Sequence, residues 1–136
     1  MKKHDKQRLQ TQLLPFFTKY RKELVVVYLF GSKADGTETS SSDIDIALLL
    51  RDRDKKNTAT LQLHMYADLC RALGRNDVDL VVLNLSGNLI LKDQITRHGV
   101  VLYSTDDTND EKTDFELKVM HRCTDFKSQR YQVMGV

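Results

Sequence analysis

At 136 residues, with 21 Lys plus Arg against 19 Asp plus Glu, the chain has room for one hydrophobic core and carries a net charge of only +2. That balance gives neither the basic field of a nucleic-acid binder nor that of a membrane-surface protein, so no direct contact with either is expected. Cys70 and Cys123 are too few and too far apart for a disulfide framework or a zinc motif, and their apolar helical surroundings predict reduced thiols packed in the core.

Residues 1–23 read as a helical lead-in, because Leu9, Leu13, Phe16, Phe17 and Tyr20 recur at helical spacing. Pro15 lies inside the pattern and is expected to kink it or to begin a second short helix. The opening MKKHDKQRLQTQ lacks the apolar stretch of a secretory signal, and nowhere do about 18 apolar residues run together. A soluble, cytoplasmic, single-domain protein is therefore expected. Leu24 to Phe30 is a continuous apolar run closed by Gly31, the pattern of a buried strand. A small, polar loop from Gly31 to Ser42 leads to Ile44, Ile46 and Ala47 to Leu50, a second buried strand that should pair with the first.

After the charged turn RDRDKKN, Leu61, Met65, Leu69 and Leu73 repeat every four residues, and Gly74 follows as a C-terminal cap. Asp79 to Leu85 reads as a third strand. Leu89 to His98 reads as a helix with Arg97 and His98 in its last turn before Gly99, and Val100 to Tyr103 as a short fourth strand. Residues 106–136 divide into an acidic, Thr-rich linker, 106–114, and a last helix marked by Phe115, Val119, Cys123 and Phe126, with Thr113 and Glu116 as its capping box. Strands alternating with helices predict an α/β or α+β domain, a small mixed sheet with helices packed mainly on one face.

The chemistry lies in Gly31-Ser32, ten residues of loop, and Asp43-Ile44-Asp45. Strand side chains alternate, so Asp43 and Asp45 point one way while Ile44 and Ile46 face the core, with the two acidic Cα atoms about 7 Å apart. Such a pair repels itself unless a hard divalent cation such as Mg²⁺ joins it, one that takes carboxylate oxygens and keeps its other positions for water and phosphate. Two ions could share the pair, one on the phosphates of a nucleoside triphosphate and one on an attacking hydroxyl. A further carboxylate is then needed. Asp79, at the edge of the third strand, is preferred over Asp77, which has the same parity but falls in the turn that begins at Gly74. Gly31 would let backbone N–H groups approach the triphosphate, the Ser32 hydroxyl would add a donor, and Lys33 would offset pyrophosphate charge. Arg97 could swing toward the triphosphate or serve as a helix-end cation. His64, isolated on its helix, reads as structural.

The stretch YLFGSKADGTETSSSDIDIALLL resembles the Gly-Ser, ten residues, Asp-x-Asp signature of the polymerase-β-type nucleotidyltransferase superfamily. With DVDLVVLN, LKDQITRHGVVLY and HRCTDFKSQRY downstream, the chain resembles the minimal nucleotidyltransferase, or MntA-type, antitoxins over about Leu24 to Tyr131. The resemblance implies an antitoxin that silences a HEPN-domain ribonuclease toxin in a hetero-oligomer by moving AMP from ATP onto a toxin tyrosine. It implies that Gly31 and Ser32 hold the triphosphate, that Asp43 and Asp45 bind Mg²⁺, and that Asp79 completes the metal site and helps to activate the tyrosine hydroxyl. Members often carry Arg at the position of Lys33, and Lys cannot form Arg's bidentate fork on a phosphate.

Two other functions fit the same residues less well. A transferase for a small hydroxylated molecule, such as an aminoglycoside, would need a substrate domain that is not visible in the sequence. A non-catalytic antitoxin acting by binding alone would leave the acidic triad without a purpose.

Overall fold

Every position of β1, Leu24–Phe30, and all but one of β2, Ile44–Leu50, is apolar, so a sheet begun by these two strands has to be covered on both faces. A computed structural model shows how, describing residues 3–31, 43–51, 55–105 and 109–133. The elements run α1 (Lys3–Lys19), β1, β2, α2 (Lys55–Leu73), β3 (Val78–Val82), α3 (Leu89–His98), β4 (Val100–Ser104) and α4 (Asn109–Val133). Among the described residues the strands form one mixed sheet in the order β3-β2-β1-β4. β1 is antiparallel to both β2 and β4, while β2 and β3, joined through α2, are parallel.

On one face Leu24, Val27, Leu29, Ile44, Ile46 and Leu48 pack with Leu13, Phe16 and Phe17 of α1 and with Met65 and Leu69 of α2. On the other, Val25, Val26, Tyr28, Ala47 and Leu49 pack with Leu91 and Ile95 of α3 and with Phe115 of α4. The expected α/β fold with a small mixed sheet is present. The helices, however, divide two and two between the faces instead of gathering mainly on one. The reason is the unbroken apolarity of β1: a strand with no polar face cannot leave either side to water.

Three boundaries differ from the sequence expectation. α1 runs through Pro15 as one helix. Pro15 and Thr11, whose carbonyl loses its partner to the proline, both lie on the exposed face, where water can take the missing bond. β3 stops at Val82, three residues early, because the chain turns there, with the Leu85 N–H on the Val82 carbonyl at 3.0 Å. The Asn84 side chain then continues the ladder, accepting from the Leu50 N–H and donating to the Leu50 carbonyl, each at 2.8 Å.

α4 begins at Asn109, inside the segment read as a linker, and Thr113 is an interior residue of it, not a cap. Pairs one turn apart, Lys112 with Glu116 at 3.1 Å and Asp114 with Lys118 at 2.9 Å, support this charged first stretch as helix. Glu116 is not a capping-box residue either. It accepts a 2.5 Å hydrogen bond from the buried Tyr28 hydroxyl and so ties α4 to the centre of the sheet.

α1 and α2 are clasped through Asp68, which accepts from Lys19 Nζ at 2.8 Å, from Arg71 at 3.2 Å and from the Tyr20 hydroxyl. The Lys19 ammonium, then the Tyr20 hydroxyl, hold the Asp68 carboxyl below the usual carboxylate range. A depressed folded-state pKa adds stability that is complete above the unfolded value of about 4 and drains away as pH falls through the folded one. Asp68→Asn is therefore expected to cost on the order of 1 kcal/mol at pH 7. The melting temperature should fall by about 3–6 °C. Thermal melts of both proteins should converge as the pH is lowered toward 3; a gap independent of pH would contradict the charged clasp.

Candidate active site

The antiparallel pairing of β1 with β2 and the parallel pairing of β2 with β3 bring the end of β1 and the beginnings of β2 and β3 to one end of the sheet. Asp45 lies opposite Phe30 on one side and opposite Asp79 on the other. Its neighbours Ile44 and Ile46 are buried against α1 and α2, so by alternation Asp43, Asp45 and Asp79 all lie on the face that carries α3 and α4. Asp45 is half-buried, whereas Asp43 and Asp79 are exposed.

The Asp45 and Asp79 carboxyl groups are hydrogen-bonded to each other. Burial foremost, then the hydrogen bond to Asp79 and the negative charges of Asp79 and Asp43, push the Asp45 carboxyl up from 3.8 to about 6. A half-buried carboxyl group is thus held beside two further acids. Among the described residues no three acid, His or Cys side chains are already drawn together as metal ligands; the close group is the Asp45–Asp79 pair, with Asp43 acting on Asp45 through its charge. A hard, all-oxygen pair suits Mg²⁺, which takes one or two carboxylates and fills its remaining positions with water and substrate oxygens.

Gly31 is bound to this pair by shape. Its φ of +77° lies in the left-handed region, and a Cβ there would stand 2.1 Å from Asp45 Oδ2 and 3.1 Å from its Cγ. The glycine thus makes room for a carboxylate. Nothing in the spacing of the motif reveals that contact, because it arises across two strands.

Asp77, the rival of Asp79, is held by Arg75, and its carbonyl accepts from the Ile44 N–H at 3.2 Å, so it anchors the turn before β3. Arg97 pairs with Asp93 one turn back at 2.7 Å and lies near Cys123 of α4, the position of a helix-end cation. Ser32 and Lys33 lie outside the described residues. Cys123 is buried as expected, whereas Cys70 is only partly so; both are free thiols.

Beside Gly31 is a cavity of about 180 Å³ lined by Phe30, Gly31, Gln94, Ile95, His98 and Gly99. Gln94 carries no signal of its own in the sequence, and His98 reads there as a helix-end residue. Their four-residue spacing places both on one polar face, but only the packing of α3 shows that the face looks at the end of β1.

The family model for polymerase β nucleotidyltransferases matches residues 11–108. No curated protein matches the sequence significantly. Among solved structures, one chain of a toxin–antitoxin structure with AMP-PNP is 27% identical, with a TM-score of 0.71 over 93% of this chain and 95% of that chain. A structure of a tri-AMPylated HEPN toxin with its MNT antitoxin, from Shewanella oneidensis, matches at 25% identity, a TM-score of 0.67 and 96% of each chain. A further toxin–antitoxin structure, MntA–HepT, matches at 25% identity and a TM-score of 0.65 over 95% of this chain and 96% of that one. With the sheet that carries Asp45 and Asp79 inside the span of the family model, this chain belongs to the polymerase β nucleotidyltransferase family.

Proposed function

We propose that the chain is the antitoxin of a toxin–antitoxin pair and that it transfers AMP from ATP to a tyrosine hydroxyl of a HEPN-domain ribonuclease toxin. The observation that carries the reading is the in-register pair Asp45–Asp79 seated against Gly31. The choice of partner and of donor is supported by the similarity to the solved complexes, one holding an AMPylated HEPN toxin and one AMP-PNP.

Asp45 and Asp79, with Asp43 beside them, would hold Mg²⁺, two ions sharing the carboxylates. Bound there, the metal supplies charge neutralisation across the triphosphate and lowers the pKa of the attacking hydroxyl. The backbone at Gly31, with Ser32 and Lys33 after it, receives the triphosphate. The tyrosine oxygen forms its bond to the α-phosphorus as the bond to the bridging oxygen breaks, and pyrophosphate leaves with the electron pair. Asp79, the exposed member of the pair, stands on the side open to a partner and takes the tyrosine proton. Asp45, half-buried and fixed by Gly31, keeps its carboxylate in place throughout.

The test is an intact-mass measurement of the co-encoded partner after incubation with the chain, ATP and Mg²⁺. AMP adducts are expected on the partner, and the Asp43→Ala, Asp45→Ala double variant should form them at least about 100-fold more slowly. Full neutralisation by that variant with no adduct would instead identify a binding-only antitoxin. Transfer to an aminoglycoside but not to protein would identify a small-molecule enzyme.

A further inference from the structure

We propose that the cavity between α3 and the end of β1 receives the nucleobase of the donor, and that Gln94 reads it as adenine. This rests on the reading above that a nucleoside triphosphate is held at Gly31. At about 180 Å³ the cavity suits one planar ring system and is smaller than the sites that enclose a whole drug-sized ligand.

Position argues for the base. In the strand order β3-β2-β1-β4, Asp79 lies to one side of Asp45, and Phe30 and Gly99 lie to the other. An acceptor activated at Asp79 therefore approaches from the side away from the cavity. Gly31 belongs both to the cavity wall and to the contact with Asp45, so a ligand part lodged in the cavity is continuous with phosphates held at that glycine.

The lining fits a base as well. Phe30 and Ile95 offer apolar surface to a flat ring, while Gln94 and His98, one turn apart and both exposed, supply polar edges. Among the described residues neither polar side chain is engaged by another part of the protein. The Gln94 amide has one donor and one acceptor side by side, matching the N7 acceptor and N6 donor of adenine. The corresponding edge of guanine presents two acceptors, N7 and O6, which an amide cannot serve together.

Calorimetric titration of the full chain with AMP-PNP and with GMP-PNP, in the presence of Mg²⁺, tests this without turnover. The wild type is expected to bind AMP-PNP at least about tenfold more tightly, the lower range of what one bidentate base contact supplies. Gln94→Ala should erase most of that preference. Gln94→Arg, whose guanidinium can donate to both the N7 and the O6 of guanine, should move it toward GMP-PNP. The ratio is the readout because added charge at residue 94 acts on both analogues alike, and circular dichroism verifies that these exposed substitutions leave the fold intact. A wild type that binds the two analogues equally, an unchanged ratio in both variants, or failure of AMP-PNP to bind overturns the pocket. A chain that shows the expected ratio yet labels no partner keeps the pocket and loses the antitoxin reading. A chain that labels its partner with a base preference indifferent to residue 94 does the reverse.

Discussion

Asp45→Asn is expected to abolish nucleotide transfer and, in the same stroke, to make the metal-free protein more stable at neutral pH. The carboxyl group of Asp45 is raised to about 6 by burial and by its neighbours Asp79 and Asp43. A group whose folded pKa lies above its unfolded value contributes stability that is full below the unfolded pKa and is lost as pH rises through the folded one. The metal-free wild type should therefore weaken between about pH 4 and pH 6, the window set by the ordinary and raised values. At pH 7 the ionised pair works against the fold by on the order of 1–2 kcal/mol, after allowance for the solvent that reaches a half-buried side chain.

Asparagine keeps the shape and removes the charge, so the slope should flatten and the melting temperature at pH 7 should rise. Mg²⁺ should raise the melting temperature of the wild type and do little for the variant. Melts of both proteins at pH 5, 7 and 8, with and without Mg²⁺, give these quantities. A variant less stable than the metal-free wild type at pH 8 would contradict the view that the acidic pair is strained for function.

Gly31→Ala carries the second large effect. The left-handed φ of +77° costs an alanine about 1–2 kcal/mol. Beyond that, the added methyl would stand 2.1 Å from Asp45 Oδ2, so the carboxylate, the backbone or both must move. A displacement of about 1 Å in a reacting constellation is enough for a 100-fold loss of rate. Transfer is thus expected to fall at least about 100-fold while the circular dichroism spectrum stays native. Gly74, also at a left-handed φ of +65° but with open space around the missing Cβ, serves as the comparison. Gly74→Ala should show the backbone cost in stability and leave transfer unchanged. Equal losses of activity in the two variants would mean that the contact with Asp45 has no catalytic weight.

Much of this is legible in the sequence. The apolar runs of Leu24–Phe30 and Ile44–Leu50 state that two strands are buried, and the alternation of Asp43, Ile44 and Asp45 states which side carries acid, because the two-residue period of a strand is a local property. The cap at Gly74 and the bounds of α3 were equally local, set by the last periodic residue and the glycine after it. Even the preference for Asp79 over Asp77 could be argued from position in the chain. The charged start of α4 misled because residues 109–114 have the composition of a linker; only the pairs from Lys112 to Glu116 and from Asp114 to Lys118 and the reach of Glu116 to Tyr28 make it helix.

What the chain could not announce locally are the contacts between elements distant in sequence. That Asp45 faces Asp79 and not Asp77 depends on the parallel register of β2 with β3, and that Gly31 must lack a side chain depends on how β1 meets β2. Whether Gln94 and His98 look into a cavity or into water depends on which face of the sheet takes α3. Periodicity says that a helix or strand has a buried side but not what lies against it, since that is decided by the packing of all the elements at once.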